Sequence, residues 1–130
     1  MKITSLLILR IGLGINMLMH GLVRIPQLQE FAEKTALTFH GTFLPFPLIK
    51  LFLLVLPFME LATGLLIIFG GKWSRNGFVL CGIILCLLLF GTTLKEDWNT
   101  AGLQLIYMIA VAYGLSLYNQ DNEKSTAEDR

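Results

Sequence analysis

Charge is scarce in this chain. Of its 130 residues only 15% are Asp, Glu, Lys or Arg, where soluble domains carry about 25%. Ten basic and nine acidic residues leave a net charge of +1, too little to make a footprint for a nucleic acid. Cysteine is limited to Cys81 and Cys86. Their i, i+5 spacing turns the thiols roughly 140° apart on a helix, which is poor disulfide geometry, and there is no CxxC pair. Both read as small buried apolar residues. Histidine occurs only as His20 and His40, not at ligand spacing, so no metal site is expected. A phosphate loop, a zinc signature, GxSxG and HExxH are all absent. Nothing points to hydrolysis or phosphoryl transfer.

What the chain has instead is apolar surface: 55% of its residues are hydrophobic and the mean hydropathy is +0.68. The apolar runs are continuous rather than alternating, which selects helices over a barrel as the means of pairing every backbone polar group in lipid. The expected fold is all-α, a bundle of four transmembrane helices at about 3–25, 48–70, 76–94 and 101–118, each near the ~20 residues that cross the hydrocarbon core. The first is read as a retained helix and not a cleaved signal, because Arg10, Asn16 and His20 interrupt it and no small-x-small site follows. The longest loop, about 26–47, begins at Pro26. In it, Phe31, Ala32, Leu37 and Phe39 mix with Gln29, Glu30, Glu33 and Lys34, the pattern of a short amphipathic helix on the membrane surface. Pro45 and Pro47 predict extended backbone before the second span. Residues 1–118 form the membrane domain, and 119–130 are polar with no apolar face, expected as a disordered tail. Trp73, Trp98 and Tyr118 are expected at the interfaces.

Within the spans a few polar residues stand out. Arg10, Gly14, Met17, Gly21 and Arg24 share one stripe of the first helix, beside a second stripe of Gly12, Asn16 and His20. Pro57, Glu60, Thr63 and Gly64 share a face of the second span, and Gln104, Tyr107, Val111, Gly114 and Tyr118 one of the fourth. These faces are expected to look inward, with the glycines letting helices approach closely. Arg10 and Glu60 are costly in hydrocarbon, at least ~2.5–3.5 kcal/mol each. Counting ~1.5 Å per residue from each helix midpoint brings the two to nearby depths. An Arg10–Glu60 contact is therefore expected, as a buried ion pair that fixes register or as a proton relay facing a ligand. Asn16, His20, Gln104 and Tyr107 are the candidate ligand-binding residues, with interhelical hydrogen bonding as the bland alternative.

The assembled pattern resembles the DoxX family of small four-helix membrane proteins. The carrying residues are Leu9-Arg10-Ile11 with Gly14, His20-Gly21, the loop ending Phe43-Leu44-Pro45-Phe46-Pro47, the stretch Glu60-Leu61-Ala62-Thr63-Gly64-Leu65-Leu66, and the basic turn Gly70 to Arg75. The likeness covers roughly 5–118. Many members have a lysine shortly after the histidine-glycine; here the nearest basic residue is Arg24. The family is similar to the membrane subunit of thiosulfate:quinone oxidoreductase. Other members are encoded with redox or detoxification proteins, and distant relatives act as cargo receptors or assembly factors. What the resemblance implies is a redox-associated membrane subunit that binds a quinone or another small apolar ligand at Arg10, His20 and Glu60, with a redox protein or a second copy as partner. If the chain is an enzyme, it is a quinone-linked oxidoreductase subunit. A non-enzymatic assembly or scaffolding subunit and a small transporter are the alternatives. Four spans put both termini on one side, with Lys2, Lys72, Arg75, Lys124 and Arg130, against Arg24, Lys34, Lys50 and Lys95 on the other. The expectation is a bacterial inner-membrane protein with cytoplasmic termini.

Overall fold

In a computed structural model, residues 4–128 are described, and they are helical almost throughout, with no strand among them. Helix α1 spans Ser5–Arg24 and a single 3-10 turn, Ile25–Gln27, bends it into α2, Leu28–Leu37. Helices α3 (Phe46–Phe69), α4 (Gly71–Leu94) and α5 (Trp98–Glu128) follow. The helices α1, α3, α4 and α5 are each long and apolar enough to cross a membrane, which is the expected four-helix bundle with a short helix in its first loop.

The ends of the helices have local causes. Thr4 caps α1, its hydroxyl accepting from Leu7 N at 3.2 Å. Pro26 lies in the turn that ends α1. Pro45 is the extended residue before α3, but α3 begins at Phe46, two residues earlier than expected, since Pro47 in a first turn lacks only an N–H that has no helical partner anyway. Gly70 turns α3 directly into α4 at φ +91, a left-handed conformation suited to glycine. That reversal starts α4 at Gly71 rather than near residue 76. Asp97 caps α5: its carboxylate accepts from Thr100 N at 3.2 Å. Hydrogen bonds from the Thr100 side chain and backbone hold the Asp97 carboxyl below the usual carboxylate range.

Helix α5 does not end at 118. It runs on to Glu128 through ten exposed residues, all polar but Ala127, because this stretch contains neither Gly nor Pro to break a helix already nucleated upstream. The expected disordered tail is thus helical as far as Glu128. Tyr118 packs edge-on against Phe78, ring centroids 5.8 Å apart, as its place on the inward face of the fourth span implied.

The core is held by close backbone approach. A Cβ placed on Gly64 would lie 2.5 Å from Leu18 N and 2.8 Å from Gly14 O. One on Gly21 would strike Pro57 O and come within 2.7 Å of Leu61 N. Helices α1 and α3 therefore touch along a glycine seam, as the glycine pattern implied. Helix α3 then packs on α4 and α4 on α5, while α1 and α5 meet only sparsely. Helix α2 lies against α3 with Ala32 and Ala36 fully buried and Leu37 outward. Lys50 Nζ to Glu33 Oε2 at 2.5 Å ties the two together.

Candidate functional site

The seam decides which side chains meet. With Gly21 against Pro57–Leu61 and Gly14 against Gly64–Ile68, α1 is displaced along α3 by roughly two turns from midpoint alignment. Arg10 is thereby set beside the last turn of α3, and Arg24 is brought within reach of Glu60. The expected Arg10–Glu60 pair does not form. Arg24 Nη1 donates to both Glu60 oxygens, at 2.8 and 2.6 Å, and its guanidinium lies 4.7 Å above the Phe31 ring. Glu60 is almost wholly buried. Arg10 donates instead from Nη2 to Ile68 O at 2.8 Å and from Nε to Ile67 O at 3.3 Å. These carbonyls belong to the last turn of α3, which has no partners within its own helix, so Arg10 acts as a C-cap on backbone and no carboxylate is involved.

The Arg24–Glu60 pair forms one wall of a cavity of about 440 Å³ between α1, α2, α3, α4 and α5. Asn16, His20, Glu60, Gln104 and Tyr107 all line it, so five of the six expected site residues come together and Arg10 stands apart. His20 Nδ1 lies 2.8 Å from Asn16 O. A carbonyl can only accept, so Nδ1 carries a proton and donates, which turns Nε2 toward other partners. The Thr92 hydroxyl sits between Leu89 O at 3.1 Å and Gln104 Oε1 at 2.7 Å. With Oε1 on Thr92, the two Gln104 N–H donors have no hydrogen-bond partner among the described residues. Asn16 Nδ2 reaches Tyr107 OH at 3.5 Å, a long contact across the sparse α1–α5 boundary.

Several lining residues were not singled out from sequence. Arg24, Phe31, Thr92, Lys95 and Asp97 also face the cavity. Arg24 had a signal, since it ends the same stripe as Arg10, Gly14 and Gly21. Thr92 had none, for the third span carries no polar stripe. The ionised side chains of the lining are two cations, Arg24 and Lys95, and two carboxylates, Glu60 and Asp97, so their charges cancel. The remaining walls are apolar, with Leu13, Met17, Leu53, Leu56, Leu85 and Leu88 among them. No three His, Cys, Asp or Glu side chains come together among the described residues. The chemistry on offer is a neutral, mainly apolar chamber with an imidazole at one point, amide and phenol donors at another, and a buried ion pair between.

No family model, curated protein or solved structure matches the chain.

Proposed function

We propose that this chain is a redox-associated membrane subunit that binds a quinone in the cavity between α1 and α5. The observation that carries the reading is the pairing of His20 Nε2 with the uncommitted Gln104 N–H groups in a charge-balanced, leucine-lined chamber. A quinone head is neutral, flat and apolar, with two carbonyl oxygens that need donors. Its reduced form has two hydroxyls that need acceptors. Gln104 and Tyr107 supply the donors, and His20 supplies the acceptor. A buried polar group without a partner is costly, so a ligand that matches both is favoured over a hydrocarbon chain. The cancelling charges argue against a permanently ionic substrate. The Arg24–Glu60 pair holds α1 to α3 at the cavity and polarises it. The DoxX-like pattern supports this reading, and an inner-membrane location with cytoplasmic termini belongs to the same proposal.

The test is calorimetric titration of the purified protein in nanodiscs with short-chain ubiquinone and menaquinone analogues. Saturable binding is expected, weakened roughly tenfold by His20→Ala or Gln104→Leu, the loss of about one good hydrogen bond. Absence of binding to the unaltered protein would sink the idea. A second reading, an assembly or scaffolding subunit, is favoured by one observation: the ten-residue extension of α5 is a helix exposed along its whole length. Under it, removal of 119–130 abolishes partner recovery while quinone has no effect.

A further inference from the structure

The polar cavity has an apolar neighbour. A second compartment of about 340 Å³ lies between α3, α4 and the segment after α2. Phe39, Leu44, Leu48, Phe52, Leu87 and Phe90 are among the residues that line it. Thr35, Leu53, Leu88, Thr92 and Lys95 line both spaces, so the two adjoin. The one ionised group on the apolar side, Lys95, is already engaged. Its ammonium sits 5.2 Å above the Phe39 ring and donates to Thr38 Oγ1 at 3.1 Å. The single Thr92 O–H has two acceptors within reach, Gln104 Oε1 at 2.7 Å and Leu89 O at 3.1 Å.

We infer that this compartment receives the hydrocarbon tail of the same ligand whose head lies in the polar cavity. The inference rests on the reading of that cavity as a quinone site, and it adds that the ligand is a long-chain one. The compartment is open on the side where Leu48, Leu87 and Phe90 are exposed, and an apolar chain lying in it gains dispersion contacts with the remaining walls. A single amphiphile whose polar end needs His20 and Gln104, and whose other end needs only carbon, fits the two adjoining spaces. An acyl chain of a bilayer lipid is the competing occupant, and competition with a tailless quinone separates the two.

The experiment uses the full chain in nanodiscs and a quinone with a photoreactive diazirine at the far end of its prenyl tail. After irradiation, adducts are expected within 44–53 and 87–91, and an excess of a tailless quinone is expected to remove them. Leu48→Trp, which fills the compartment from α3, should cut the adducts at least tenfold and leave calorimetric binding of the tailless quinone unchanged. Gly91→Leu enters from the α4 wall, where an added Cβ already lies 3.2 Å from Phe39, and serves as the second variant. Adducts on the outer faces of α1 and α5, around Ile15 and Ile106, would overturn the assignment while leaving the head site standing. Adducts in the compartment that the tailless quinone does not remove would also overturn it, since the occupant would then be an unrelated lipid chain. If the tailless quinone fails to bind the unaltered protein, the head site falls and the tail compartment falls with it.

Discussion

Helix α1 carries an arginine near each end, and the two do opposite things. Arg10 meets only backbone, the carbonyls of Ile67 and Ile68. Arg24 meets a carboxylate, the buried Glu60. Around Arg10 the helices close tightly, with its guanidinium filling the space where a Cβ on Gly70 would stand. Around Arg24, α1 still lies close on α3 at Gly21, but a chamber opens toward α4 and α5. The same residue type thus serves as a helix cap at the closed end and as a counter-ion at the open one. Burial of an arginine in a span is therefore not by itself a sign of function; its partner decides.

The largest expected effect separates the two ends. Arg24→Ala strands Glu60 in an apolar wall and is expected to cost about 3–5 kcal/mol of stability, read by unfolding in detergent. Arg24→Met with Glu60→Leu should recover most of that loss, because it removes both buried charges. Recovery would show that the pair is not needed for folding, and quinone titration of the double variant would then report its part in binding. Arg10→Ala should cost less, about 1–3 kcal/mol, and should leave quinone affinity within twofold. A large loss of affinity in a folded Arg10 variant would erase the distinction between the ends.

Two glycines sharpen the contrast further. Gly70 and Gly41 share φ +91, one at the closed end and the other after α2. Both suffer backbone strain on substitution by alanine, about 1–3 kcal/mol. Gly41 has open space around its missing Cβ, whereas Gly70 has Arg10 there. Gly70→Ala is therefore expected to be the worse of the two, and equal thermal shifts would deny the close packing. The smallest effect is a pH dependence at the open end. The folded Asp97 carboxyl titrates lower than an unfolded one, so its contribution is full above the unfolded value. It is lost as pH falls from about 4 through the folded one. Acidification should narrow the gap in melting temperature between the native chain and Asp97→Asn. Arg10, bonded to carbonyls that do not titrate, should show no such narrowing.

The spans were legible because hydrophobic runs of this length have few other uses. Helical phase also put Glu60, Thr63, Gly64 and Gln104 on inward faces, and all four are buried. Partners were harder to read. Depth counted from helix midpoints matched Arg10 with Glu60, whereas register is set by Gly14, Gly21 and Gly64, whose contacts a single sequence does not pair. Arg24 was visible on the correct stripe but read as terminal. Thr92 and the α5 extension were invisible for different reasons. One is a threonine at the end of an apolar run, and the other is polar sequence whose helicity is inherited from the span before it.

One consequence lies in the bend at Pro26. It carries the chain from α1 into α2, and Phe31 on the second helix stacks on Arg24 at the end of the first. Arg24 thus stands between an aromatic ring of one helix and a carboxylate of another. The Lys50–Glu33 contact that ties α2 to α3 becomes a remote support of the ion pair, and a change that frees α2 from α3 reaches the site without touching any residue that lines it.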